Sequence, residues 1–357
     1  MFKTLALQSA FKTSLFSESG LKHSVKWLAF TGLAFFISAC SHTAEEIAMS
    51  GSTMGTTYHI KLVPNAKVPN VQLLQAEIDL ALERVNDQMS TYRKDSELSR
   101  FNQLPLQQSV EVSDDTLTVV REGIRLYRVT GGALDITLGP LVNLWGFGPD
   151  KRPLHIPSEA QIAAAKAKTG IDSLSIEGHR LNKHNADLYV DLSSIAKGFG
   201  VDKIAALLDK YGVTGYLVEI GGELSVKGTK ADGSSWRVAI EQPSDDGRAV
   251  QQVIEPGTMA MATSGDYRNY YEEEGQRFSH LIDPRSGYPI QHRLASVTVL
   301  HQNCMTADGF ATAMMVLGTE ASLELAKREG LAIMLIEKQD DGFKVYYSDA
   351  FTPFLNP

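Results

Sequence analysis

Near the C-terminal end of the chain, the stretch MTADGFATAMMVLG (305–318) holds an acid and a hydroxyl, Asp308 and Thr312, in an otherwise apolar run. A spacing of four puts both on one face of a helix, one turn apart. A lone buried carboxylate is costly unless paired, so the acid needs a partner. Two chemistries fit. In the first, Thr306 is an N-cap, Asp308 lies in the first turn beside the positive end of the helix dipole, and Thr312 bonds back to the carbonyl of residue 308. In the second, the carboxylate and the hydroxyl are oxygen ligands of a hard cation. Cys304, just before the stretch, reads as a small apolar filler.

Five other stretches are richer in Gly, Asp, Ser and Thr than a scaffold requires, and one of them, ATSGDYRNYY (262–271), is followed closely by the sharpest. SHLIDPRSGYPI (279–290) places His280 and Asp283 before a Pro-Arg-Ser-Gly turn. A histidine beside a strand end is a candidate general base, or else a structural histidine; Asp283 either orients it or caps the turn. DLSSIAKGFGVDKIA (191–205) reads as strand, turn and helix start, with Lys197 early in the helix. It has neither the G-x-x-x-x-G-K-[ST] nor the G-x-G-x-x-G spacing, so what remains is a helix N-terminus suited to an anion. GGALDITLGPLVNLWGFGP (131–149) sets Asp135 among apolar residues, and its Trp145 and Phe147 either offer a flat surface to a ring system or pack in the core. GSTMGTTY (51–58) is a turn, or a place where backbone amides approach an anion.

The elements that must position these residues are legible in part. Leu74, Ile78, Leu82, Val85 and Met89 mark one face of a long helix. A second helix is expected over 114–129, stopped by Gly131-Gly132. TTYHIKLV (56–63) alternates as a strand does, and DLYVDL (187–192) is strand-like, with Ser193 or Ser194 then capping a helix to about Lys210. YLVEI, WRVAI, MAMATS and ASVTVL supply further strands, and LAIMLIE with FKVYYS a late β pair. Strands and helices mix without strict alternation, so the fold class is α+β, or loosely mixed α/β. No linker divides residues 50 to 350, which read as one domain.

At 357 residues, with 43% hydrophobic and 21% charged content, the chain is an ordinary globular protein with ample core. Its first 39 residues hold four lysines against one glutamate, a net of +3, so the formal charge of -8 leaves -11 on the remainder. An acidic body argues against nucleic acid as a partner. Two cysteines are too few for a disulfide framework. WLAFTGLAFFI (27–37) follows Lys22, His23 and Lys26 and is too short to span a bilayer, which needs about 20 residues. With Ser38-Ala39 after it, residues 1–39 read as a secretory signal. Ile37-Ser38-Ala39-Cys40 looks like a bacterial lipobox, with Cys40 lipidated and residues 40–49 forming a tether. Ser41 in place of Asp leads us to expect outer-membrane retention on the periplasmic side, with the inner membrane as the alternative.

Taken in order, GSTMGT, STY with DSELSRFN, ALDIT with GPLVNLWGFGP, DLSSIAKG, VEIGGEL, TSGDYRNYY, HLIDPRSGYP and ADGFAT resemble the ApbE family of FAD:protein FMN transferases, over nearly the whole chain after the signal. The resemblance implies a mixed α/β domain, 50–355, with FAD held between two lobes. It implies Mg²⁺-dependent cleavage of the FAD pyrophosphate, transfer of FMN to a threonine of a partner protein, and release of AMP. By motif, Met54, Tyr92, Ala133, Leu134, Asp135, Asp191, Lys197 and Ile282 match FAD-contacting positions. Asp308 and Thr312 match side-chain metal ligands, and Ser194 matches a position whose carbonyl reaches the metal. Some relatives carry a second Asp where this chain has Ala311, and some have Glu in place of Lys197. His280 is the expected base for the incoming hydroxyl. The acceptors implied are flavin-carrying subunits of membrane redox complexes, such as sodium-pumping quinone reductases or related electron-transfer complexes. Two other activities are open: hydrolysis of FAD to FMN and AMP, and flavin binding without catalysis.

Overall fold

A computed structural model describes residues 45–355, apart from 107, 150–154, 244–248, 268 and 274. The expected signal peptide, Cys40 and Ser41 lie outside the described residues. The first half contains β1 (Ile47–Thr53), β2 (Thr56–Leu62), α1 (Val71–Met89), α2 (Glu97–Gln103), β3 (Ser109–Glu111), α3 (Asp114–Val129), α4 (Gly139–Leu144), α5 (Glu159–Lys166), β4 (Leu174–Glu177) and β5 (Arg180–Lys183). Then come α6 (Ala196–Lys210), β6 (Tyr216–Ile220), β7 (Glu223–Lys227), β8 (Val238–Glu241), β9 (Val250–Ile254), β10 (Ala260–Gly265), β11 (Tyr270–Glu273) and β12 (Gln276–Ser279). The chain closes with β13 (Leu294–His301), α7 (Cys304–Leu317), α8 (Thr319–Glu329), β14 (Ala332–Gln339) and β15 (Gly342–Tyr347).

Eight strands form the main sheet in the order β1-β2-β6-β7-β10-β13-β14-β15, and every neighbouring pair is antiparallel. Alternate side chains serve the two faces, as the period of a strand dictates. In β10, Ala260 and Ala262 face the helices, while Met261 faces the opposite layer with Trp236, Ile240 and Phe351. On the helical side, Leu74, Ile78 and Leu82 of α1 pack with Val201 and Ile204 of α6 against Ile60 and Val218. Each such side chain contributes roughly 1.5–3 kcal/mol on burial. The expected stripe of α1 is the buried one, residue for residue. This mixed architecture agrees with the α+β expectation.

Four local expectations need correction. First, residues 47–49 belong to β1, where Ile47 pairs with Leu62 and Met49 is buried, so the sheet begins inside the segment assigned to the tether. Second, DLYVDL forms no strand. Leu188, Val190 and Leu192 are buried in alternation, but the backbone bonds elsewhere. The Asn102 side chain donates to the Val190 carbonyl and accepts from the Val190 amide, both at 2.8 Å, and the Asp191 amide donates to the Ile136 carbonyl. Third, neither Ser193 nor Ser194 caps α6; Ile195 takes the N-cap position with no side-chain bond, and the Ser193 amide donates to Asp191. Fourth, Thr306 is no N-cap. Asn303 holds that position, and the Thr306 hydroxyl donates to Glu122 at 2.7 Å. The first reading of Asp308, an acid in the first turn of its own helix, falls with it.

Candidate active site

Two helices build the floor of the site, and each ends on a carboxylate from the other. On α6, Asp202 accepts from the Cys304 and Met305 amides, at 2.8 and 2.9 Å, which are the first donors of α7. On α7, Asp308 accepts from the Gly198 amide in the first turn of α6 at 3.0 Å. Orphan amides at helix starts favour such anions. The helices meet closely because residue 198 is glycine: a Cβ there would stand 2.5 Å from the Cys304 carbonyl oxygen. Asp308 is thus an N-terminal anion after all, but for the neighbouring helix.

With one Asp308 oxygen held by Gly198, the other faces Lys197 at 3.7 Å. The same ammonium lies 2.8 Å from Glu223, the first residue of β7. Burial alone would depress Lys197, but Asp308 and Glu223 outweigh it and hold its pKa above the usual lysine value. Burial pushes both carboxyls up, against the pull of Lys197. Asp308, Thr312 and Val316 form one stripe of α7 along a cavity of about 620 Å³. Met314 and Met315 are fully buried and pack the back of the helix.

The cavity gathers residues from distant parts of the chain. Tyr92, Ala133, Leu134, Asp135, Asp191, Ser194, Lys197, His280, Ile282, Asp308 and Thr312 all line it. Met54 does not: it occupies the tip of the β1–β2 hairpin at φ 49°, beside Gly55 at 73°, and its side chain reaches toward Gly200 of α6. Among the described residues it is the one non-glycine with positive φ, as a two-residue hairpin link demands. Asp135 is braced rather than free, since one oxygen accepts from the Thr137 amide and hydroxyl at 2.8 and 2.6 Å. Trp145 is fully buried, stacked on Phe278 with its indole N–H on the Gly287 carbonyl, so it is core; Phe147 lines the cavity.

His280 is half-buried at the end of β12, edge-on to Phe147. Its Nδ1 lies 3.0 Å from the Asn269 carbonyl. A carbonyl only accepts, so Nδ1 carries the proton and Nε2 keeps its lone pair. Burial lowers the His280 pKa below the ordinary value, so the ring is neutral near pH 7. Asp283 is no partner of His280: it holds Arg285, with 2.8 and 2.9 Å contacts to the guanidinium and 2.9 Å to the amide. It caps the turn.

Sequence reasoning assigned nothing to Glu223. Its signal was present in VEIGGEL, where a Gly-Gly link with φ 59° and 105° turns the chain so that both Glu219 and Glu223 reach the cavity. Ala311 is fully buried in the apolar core, so the second carboxylate near Asp308 comes from β7 and not from α7.

The profile of the ApbE family matches residues 54–335. An FAD:protein FMN transferase of Vibrio cholerae is 54% identical over 330 residues, covering 92% of this chain and 99% of the relative. One from Haemophilus influenzae is 47% identical, covering 93% and 98%. Among solved structures, the flavin transferase ApbE of Vibrio cholerae superposes with a TM-score of 0.82 at 55% identity, covering 87% of this chain and all of that one. The apo flavinyl transferase ApbE of Pseudomonas stutzeri gives 0.81 at 43% identity, covering 88% and 98%. With a buried cation–carboxylate cluster, a neutral histidine and the motif set converging on one cavity, and with these likenesses over nearly all of the described residues, the chain belongs to the ApbE family.

Proposed function

We infer that this chain transfers FMN from FAD to a threonine of a partner protein with the help of Mg²⁺. The chain is an FAD:protein FMN transferase, as its close relatives are. The observation that carries the finer reading is the meeting of Asp308, Thr312, Ser194, Lys197 and His280 at one cavity.

The donor set suits a hard cation. Among the described residues no group of three His, Cys, Asp or Glu is placed to hold a metal. The candidates are instead the Asp308 carboxylate, the Thr312 hydroxyl and the Ser194 carbonyl, all oxygens, with room for waters. When bound there, Mg²⁺ would neutralise charge on the diphosphate of FAD and on departing AMP. The Lys197 ammonium adds positive charge to the same cavity. Tyr92, Phe147 and Ile282 offer ring and aliphatic surface to the flavin nucleotide.

His280 is the base. Its Nε2 takes the proton from the threonine hydroxyl, whose oxygen bonds to the FMN phosphorus as the bond to the bridging oxygen breaks and AMP leaves. The Asn269 carbonyl fixes the tautomer that makes this possible. The acceptors are threonine-bearing domains of membrane redox complexes, reached from the periplasmic side by a protein anchored through lipid on Cys40.

Incubation with FAD, Mg²⁺ and a candidate acceptor domain tests the reaction. Expected are a flavin mass on one acceptor threonine and an equal yield of AMP, both abolished by Asp308→Ala. Free FMN without acceptor labelling would instead mark a hydrolase, and intact FAD a binding protein. Cys40→Ala is expected to release the protein from the membrane fraction; retention there would overturn the anchor.

A further inference from the structure

Lys197 stands between two buried carboxylates, and the contacts are unequal: 2.8 Å to Glu223 and 3.7 Å to Asp308. Among the described residues these are its ion-pair partners. The Glu223 side chain is 4% exposed and the Asp308 side chain 6%, while Lys197 is 32% exposed. A lysine ammonium is a mobile point charge on a four-carbon stem. Two poorly solvated carboxylates therefore compete for one cation that can reach either.

This arrangement matters for the metal. The Gly198 amide takes one oxygen of Asp308, so the other, the one facing Lys197, is the oxygen left for a metal. An ammonium drawn onto that oxygen would occupy the ligand and repel a divalent cation. We propose that Glu223 is a positioning residue that holds Lys197 away from Asp308, keeping the carboxylate open to Mg²⁺ while leaving the ammonium on the cavity wall. The inference rests on the reading of Asp308 as a Mg²⁺ ligand. It also gives a reason for the second carboxylate to come from β7, where it can hold the lysine, rather than from position 311 on the same helix as Asp308.

Without the charge of Glu223, Asp308 is the remaining buried anion within reach of the ammonium. Removing the ammonium as well should remove the competition. The test is Mg²⁺ titration of the full, FAD-free chain by calorimetry, with melting temperatures in the absence of Mg²⁺ as the folding control. Glu223→Gln is expected to weaken Mg²⁺ binding about tenfold to a hundredfold, the range typical of residues acting behind a metal's own ligands. Lys197→Met in the same chain is expected to restore it to the value of Lys197→Met alone. Glu223→Asp, which withdraws the carboxylate by one methylene, should fall between, and serves if the glutamine variant fails to fold.

Unchanged Mg²⁺ affinity in Glu223→Gln, with binding still lost in Asp308→Ala, would overturn this inference and leave the metal site standing. Equal weakening in the presence and absence of Lys197 would also overturn it, because Glu223 would then act on the metal directly. No Mg²⁺ binding by the unaltered chain, or binding that Asp308→Ala leaves intact, would overturn the metal site and this inference together.

Discussion

Gly198→Ala is the sharpest test of how the site is held together. A Cβ at residue 198 would stand 2.5 Å from the Cys304 oxygen, 2.7 Å from its carbonyl carbon and 2.8 Å from the Met305 Cα. All three are backbone atoms at the start of α7, so no side chain can rotate out of the way. Restoring an ordinary 3.4 Å contact requires α6 and α7 to part by roughly 0.9 Å, in an interior that is close-packed. Overpacking of this kind costs about 1–3 kcal/mol. The same movement stretches the 3.0 Å bond from Gly198 to Asp308, and a hydrogen bond to a charged group is worth about 1.5–3 kcal/mol. Against this, alanine gains about 1 kcal/mol over glycine in a helix. The net is a loss of ~1.5–5 kcal/mol, or a fall in melting temperature of ~3–10 °C at about 2 °C per kcal/mol for a large domain. Gly309→Ala is the comparison: there the new Cβ would meet side-chain methyls, Leu126 Cδ1 at 2.4 Å and Ile195 Cγ2 at 2.9 Å, rather than backbone. Thermal unfolding of both variants, read beside FMN transfer to an acceptor, checks the reasoning. Gly198→Ala with an unaltered melting temperature and full transfer would refute the claim that close approach of these helices sets the position of Asp308.

Three further outcomes are expected. His280→Gln should lower the transfer rate by about 10²–10⁴, the usual contribution of a general base, with little change in the KM for FAD; a rate near that of the parent chain rules out the base. Because burial depresses His280, its neutral form persists below the usual histidine value of about 6.5. The acid limb of kcat/KM should therefore fall at a pH below that value. Stability shifts with the same sign: between the folded pKa and about 6.5 the unfolded chain binds more protons, so this group's contribution, present above 6.5, is lost as pH falls through the window. An acid limb above pH 7 would contradict the assignment. Asp202→Ala should cost about 1–3 kcal/mol in denaturant unfolding, since the Cys304 and Met305 amides both lose their acceptor; an unshifted midpoint would show that water serves them equally well.

What could be read from the sequence follows from how local each signal is. The apolar stripe of α1 is a property of one helix, so Leu74 to Met89 were legible residue by residue. Asp308 and Thr312 share a face for the same reason, and the structure adds Val316 to that stripe. DLYVDL shows the limit. Its alternation reported correctly that Leu188, Val190 and Leu192 are buried, but alternation says nothing about which groups satisfy the backbone. The partner here is the Asn102 side chain, 88 residues away, which no period in the sequence could reveal.

The charge cluster was illegible for a related reason. Lys197, Glu223 and Asp308 sit on α6, β7 and α7, and spacing rules speak only within one element. The sequence does carry the requirement in one place, the adjacent pair Lys197-Gly198. Successive residues of an α-helix point about 100° apart. Gly198 faces α7, where it permits contact and donates to Asp308, while Lys197 faces the cavity and Glu223. A slip of one residue in α6 would put a lysine against the Cys304 carbonyl and withdraw the ammonium from both acids at once. The order of the two residues, more than either alone, is therefore what the site demands of the DLSSIAKG motif.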